Sequence, residues 1–145
     1  MYKRKVSDYD FLILVFGPTG GTLANLLALS GISTCIIERE DSLYNLPRAV
    51  HFDDEVMRVF QTIGIAKNLR KYLIINRGTR FIDKSGQILL DWPRPRNVTI
   101  NGWNASYRFH QPNLEQILRR RLRNKSFIEV FKNVKLQNII FSINI

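Results

Sequence analysis

The chain has 145 residues, of which 45% are hydrophobic and 23% charged, the balance of an ordinary globular protein with room for one core. Its 22 Lys and Arg against 12 Asp and Glu leave a net charge of +10, which invites nucleic acid or an anionic surface as partner. The single cysteine excludes an internal disulfide, and no apolar run approaches the roughly 18 residues of a membrane span, so a cytoplasmic protein without a membrane partner is expected.

Phe11–Val15 reads as an apolar strand, and Gly17-Pro18-Thr19-Gly20 as the turn that ends it. Thr19–Ser30 follows as a helix with Gly31 as its C-terminal cap, then Ile32–Ile37 as a second strand running into Glu38. A strand, glycine turn, helix and strand closing on an acid is the dinucleotide-binding βαβ order. Its helix N-terminus faces a pyrophosphate, and its carboxylate holds a ribose. Gly17 lets the backbone approach the phosphates, and Gly20 lets helix and strand pack closely. The tight first turn falls to Val15, whose β-branched side chain resists positive φ at a cost of roughly 1–3 kcal/mol. Glu38 lies 18 residues beyond Gly20, near the offset of about 20 at which the ribose acid stands.

Cys35, inside the second strand, reads as an inert buried thiol. Asp41–Phe52 is a loop carrying Pro47, Arg48 and His51. Asp53 and Asp54 open a helix to Ile63, with Val56, Val59, Phe60 and Ile63 on one face and Gly64 as its stop. A short helix follows around Ile65–Tyr72. Thr79–Asp83 and Gln87–Trp92 form a hairpin about Lys84-Ser85-Gly86, and the stretch from Pro93 to Asn101 loops over Trp103.

Pro112 starts an amphipathic helix that ends near Asn124. Leu114, Ile117, Leu118 and Leu122 form its apolar stripe, which assigns Arg119, Arg120, Arg121 and Arg123 to a solvated face and the last turn. No helix-turn-helix, zinc or RNP pattern accompanies them, so no specific nucleic acid is expected. Phe127–Phe131 is a third strand and Val134–Ile145 a fourth extended piece. The fold expected is α/β: a Rossmann-like βαβ unit on a parallel sheet, a small β-hairpin insertion, and a C-terminus that stops mid-fold. Its open sheet edge invites aggregation.

Four motifs occur in order: Gly17-Pro18-x-Gly20-x-Thr22-Leu23-Ala24-Asn25, Ile37-Glu38-Arg39, Leu46-Pro47-Arg48-Ala49-Val50-His51 and Ser106-Tyr107-Arg108-Phe109-His110-Gln111-Pro112. Together they resemble the N-terminal part of the FAD-dependent aromatic-ring monooxygenases. The resemblance implies that residues 1–145 are part of one FAD-binding domain. It implies FAD as cofactor, NADH or NADPH as co-substrate, and a small phenolic acid as substrate of the complete enzymes. It places Gly17, Pro18 and Gly20 at the pyrophosphate, Glu38 at the adenosine ribose, Arg39 beside the adenine end, Arg48 near the flavin, and Gln111 at the ribityl and flavin region. No catalytic side chain and no metal ligand follow from it, and His51 and His110 read as structural histidines.

Val15-Phe16 stands where the family has Gly-Ala, and Gly21 where it has leucine; the first crowds the phosphate turn and the second removes core volume. Solvent roles remain alternatives: Arg48 on the surface, Gln111 merely ahead of a helix, Glu38 paired with Arg39 or Lys5. A non-enzymatic remnant or a basic binding module without flavin is the alternative for the whole chain.

Overall fold

The computed structural model describes residues 9–46, 48–138 and 140. The chain divides into two compact units, Met1–Tyr44 with Leu118–Ile145, and Asn45–Ile117. Within the described residues no helix is long and apolar enough to cross a membrane.

The first unit is built on a parallel sheet. β1 (Phe11–Leu14) pairs with β2 (Thr34–Glu38), and β2 pairs on its other side with β8 (Ile128–Lys132). α1 (Pro18–Leu29) connects β1 to β2. The central strand β2 is buried along its whole length, whereas three of the four β1 residues are exposed. Ile13, Phe16, Ala24, Leu27, Ala28, Ile36 and Leu122 form the core, with Phe127 and Val130 packed against it. Burying each large side chain contributes about 1.5–3 kcal/mol.

The expected strand and helix limits move by one or two residues, each for a local reason. β1 stops at Leu14 because Val15 turns to φ 83°. α1 opens on Pro18, which has no N–H to leave unpaired in the first turn. Its end is the expected one: Gly31 takes φ 69°, with Gly31 N–H on the Ala28 carbonyl and Ile32 N–H on Leu27.

The second unit contains an antiparallel sheet absent from the sequence expectation. β3 (His51–Asp53) and β4 (Leu73–Ile75) flank β7 (Ser106–Phe109). His51 and Phe52, assigned to a loop, are therefore strand. α2 (Asp54–Thr62) starts as expected, with the Asp53 carboxylate accepting from Val56 N–H at 3.0 Å. Its buried residues are Met57 and Phe60, followed by Ile63, while Val56 faces out. Phe60 and Ile63 are thus buried as expected and Val59 is half-buried, while Met57 takes the place expected of Val56. α3 (Ala66–Leu69) and a 3-10 turn (Arg70–Tyr72) supply the short helical piece.

Phe52 is the hub of this unit, with ring centroids 5.2 Å from Phe60, 5.7 Å from Tyr107 and 5.1 Å from Phe109. Each such aromatic pair adds about 0.5–1.5 kcal/mol beyond its buried area. The loop over Trp103 is tied to α2. Asp54 accepts from Thr99 Oγ1 and Asn101 Nδ2, and the Trp103 indole donates to Gln61 at 2.9 Å.

β5 (Gly78–Ile82) and β6 (Ile88–Pro93) pair antiparallel about the Lys84–Gly86 turn. α4 (Gln111–Leu122) contributes its first seven residues to the second unit and Leu118–Leu122 to the first. Of the expected fourth extended piece, residues 134–138 carry no regular element, and Ile139 and residues 141–145 lie outside the described residues, as do Lys5 and Pro47.

Phe81, Ile82, Ile88, Leu89, Leu90 and Trp92 are all at least half exposed on the β5–β6 hairpin. Apolar surface on a two-stranded ribbon promotes association. The chain is expected to bind a hydrophobic dye and to scatter light increasingly with concentration. Replacing Leu89 and Ile82 by Lys should suppress both while leaving the unfolding midpoint unchanged. Dye binding unaffected by these changes would place the sticky surface elsewhere.

Candidate functional site

The loop between β1 and α1 is held from both sides of one residue. Phe16 N–H donates to Glu38 Oε2 at 2.7 Å, and the Phe16 carbonyl accepts from Arg119 Nη2 at 2.8 Å. The Arg119 guanidinium also lies 4.7 Å from the centroid of the Phe16 ring. Glu38 ends β2, where its second oxygen accepts from Glu40 N–H at 2.9 Å. Burial pushes the Glu38 pKa up, but the Glu40 and Phe16 amides, the Arg119 charge and the Arg39 amide outweigh it and hold it below the ordinary value.

These contacts stabilise an unfavourable backbone. Val15 sits at φ 83° and is 60% exposed, so burial of its side chain does not put it there. The loop must be this tight because Gly20 lies under it. A Cβ on Gly20 would stand 2.1 Å from the Val15 carbonyl oxygen and 3.1 Å from Ile13 Cγ2. Only glycine fits there, as the third position of the motif demands.

Gly17 differs: a Cβ on it would meet nothing within 4 Å. No side chain caps α1, whose N-cap is Gly17 and whose first residue is Pro18. A helix N-terminus with its amides uncapped and open space before it has the form of an anion site.

Gly21 faces Leu118 and the Phe16 ring, and a methyl at this position would meet both at ordinary contact distance. Its position is bounded by Leu118 Cβ and Cδ1 at 3.4 Å and the Phe16 ring at 3.7 Å. The Phe16 ring and Leu118 line the space beside Gly21. Asn25, 3% exposed, fastens α1 to α4 by donating to the Gly21 and Leu118 carbonyls at 2.8 and 3.1 Å.

Arg119 also departs from its expected place. It is half-buried against the glycine loop, whereas Arg120, Arg121 and Arg123 are exposed. The helical stripe could not reveal this, because Arg119 flanks Leu118 and reaches across with a long side chain.

Arg39 pairs with its neighbour Glu40 at 2.9 Å, both side chains being exposed, which contributes little. In the second unit Arg48 and Gln111 are joined. Gln111 Oε1 accepts from both the Arg48 and Ala49 amides at 2.9 Å, and its Nε2 donates to Glu115 at 2.7 Å. Gln111 is 3% exposed, so its amide shapes the Arg48 loop from below. His51 and His110 are both exposed, which corrects their reading as structural histidines. Cys35 is fully buried and its thiol is pushed up by burial and by Glu129, as an inert thiol requires.

The FAD binding domain family matches residues 8–141. The chain is 36% identical over 132 residues to a probable NADH-specific resorcinol 4-hydroxylase of Rhodococcus jostii RHA1, covering 90% of this chain and 24% of that protein. It is 38% identical over 105 residues to a 3-(3-hydroxy-phenyl)propionate/3-hydroxycinnamic acid hydroxylase of Mycobacterium avium 104, covering 72% and 18%. Its fold is similar to that of p-nitrophenol 4-monooxygenase PnpA from Pseudomonas putida DLL-E4, with a TM-score of 0.74 at 17% identity over 85% of this chain and 31% of that one. The chain therefore spans a quarter or less of the length of these two curated relatives. It belongs to the FAD binding domain family.

Two outcomes follow from the loop geometry. Val15→Gly relieves roughly 1–3 kcal/mol of strain and adds about 0.5–1 kcal/mol of chain entropy, so it should stabilise the chain by about 1 kcal/mol in urea unfolding. Phe16→Ala, by contrast, should cost about 3–5 kcal/mol, because it empties the space beside Gly21.

Glu38 sets an acid limit. Its folded pKa is depressed, so its contribution to stability is present above the ordinary 4.5 and lost as pH falls through the folded value. Glu38→Gln should be less stable at neutral pH and should flatten this acid-side loss. An unchanged pH profile in the variant would show that Glu38 does not hold the loop.

Proposed function

We propose that this chain binds the ADP half of FAD at the N-terminus of α1, as part of one FAD-binding domain of an NADH- or NADPH-using aromatic hydroxylase. The observation that carries the reading is Val15 at φ 83° over Gly20, with open space before Gly17. A strained turn that is braced from Glu38 and Arg119, and that presents uncapped amides, has a purpose beyond packing. The Rossmann-like character of β1–α1–β2 belongs to the same reading, with the β5–β6 hairpin as an insertion after it.

The residues fit the group. The α1 amides and the Gly17 backbone would hold the pyrophosphate. Pro18 leaves that end of the helix without a competing side chain. Glu38 has one oxygen on Phe16 N–H and the other on Glu40 N–H. A carboxylate accepts about four hydrogen bonds, which leaves capacity for ribose hydroxyls. Arg39 would lie at the adenine end. Arg48, on the loop shaped by Gln111, would offer its planar fork to the flavin side.

FAD when bound supplies the redox chemistry, and the chain's own part is binding, orientation and electrostatics. NADH is in the name of the Rhodococcus relative, and a phenolic acid is in the name of the Mycobacterium one. Both come to this chain as part of the proposal.

FAD titration by flavin fluorescence tests it. Val15 crowds the turn, so binding is expected to be weak, to tighten in Val15→Gly, and to weaken in Glu38→Gln. ADP should compete with FAD and FMN should not. Competition by FMN but not ADP, or no flavin binding even by Val15→Gly, would overturn the reading. No substrate hydroxylation is expected from the chain alone.

A further inference from the structure

Outside the loop site, the second unit carries a cavity of about 510 Å³ against the β3–β7–β4 sheet, with His51, Arg94 and Arg108 in its lining. His51 stands directly opposite Arg108 in the β3–β7 register, so the two share one face of the sheet. No carboxylate is among the residues that line the cavity.

The surrounding contacts orient these groups without neutralising them. Arg94 lies with its guanidinium 4.7 Å from the centroid of the Trp92 ring, a contact that fixes the plane and keeps the charge. Arg108 makes a long 3.5 Å contact to the Gly78 carbonyl. The nearby acid Asp91 is engaged by Arg80 at 2.6 Å. Asn76, in the cavity wall, is buried and fixed: its Nδ2 donates to Ser106 Oγ and its Oδ1 accepts from Gly78 N–H. Val50 and Phe109 add an apolar wall.

We propose that this cavity is a carboxylate subsite, in which Arg108 and Arg94 take the acid group of a small aromatic acid while Val50 and Phe109 face its carbon skeleton. A guanidinium fork matches a carboxylate in plane and charge. The volume lies within the range of about 300–1,000 Å³ that small-molecule sites occupy, and suits one ring with a short acid chain. The assignment rests on the aromatic-hydroxylase reading above for the identity of the acid.

The test uses the full chain, 3-(3-hydroxyphenyl)propionate and its primary amide, followed by ligand-observed NMR. Circular dichroism verifies that each variant is folded. The acid is expected to bind saturably and the neutral amide about tenfold more weakly or worse, since a charge-assisted contact is lost. Arg108→Gln and Arg94→Gln should each weaken the acid by about tenfold and leave ADP competition at the loop site unchanged, whereas Arg120→Gln should change neither.

Equal binding of acid and amide, or an Arg108→Gln chain that binds the acid normally, would overturn the subsite. Displacement of the acid by inorganic phosphate at equal concentration would overturn it too, and assign the cavity to phosphate. FAD binding without acid binding removes this subsite and leaves the cofactor reading standing. Acid binding that depends on Arg108, without ADP or FAD binding, does the reverse.

Discussion

The first unit depends on how one peptide unit is held. Phe16 offers its N–H to a buried carboxylate and its carbonyl to a half-buried guanidinium. These two grips, together with Val15 N–H on the Ile37 carbonyl at 2.9 Å, hold Val15 at φ 83°. Held in this way, the chain leaves β1 abruptly enough for Gly20 to lie beneath the Val15 carbonyl and for α1 to pack on the sheet. A charge-assisted hydrogen bond in a poorly solvated place is about twice as strong as a neutral one, so two of them offset a strained residue. The same carboxylate that would face a ribose also builds the turn that would face the phosphates.

Much of this was legible in the sequence because it is written in local chemistry. Alternating strand, glycine turn and helix gave β1, α1 and β2, and the positive φ forced on Val15 follows from its position in the motif. Asp53 as a helix cap and Gly31 as a helix stop are equally local. The antiparallel sheet was not legible. β3, β4 and β7 have only three or four residues each, too few to establish a period of two, and two of them abut helical segments that mask them.

The site was readable in part for the same reason. Gly17, Pro18, Gly20 and Glu38 occupy one short stretch and one strand end, and the first unit gathers them round the same loop. Arg119 was hidden because its partner is 103 residues away in sequence, and a run of four cations looks the same whether one of them turns inward or not. Gln111 shows a further limit. Its motif marks it as important, yet its side chain is spent on two successive backbone amides of the Arg48 loop and on Glu115. Sequence identifies such a residue without saying whether it touches a ligand or the scaffold that presents one.

The contact between Phe16 and Gly21 ties two positions into a single unit of sequence change. A ring in the loop is compatible with a bare backbone on the helix, and a larger residue on the helix with a small one in the loop. Leu118, 3.4 Å from where a Gly21 side chain would begin, closes the remaining direction. Each exchange alone passes through a state that is either overfilled or hollow. What Gly21 tolerates is therefore set by the ring at Phe16: with the ring in place there is room for little more than a methyl, and with it gone the helix could carry a larger side chain.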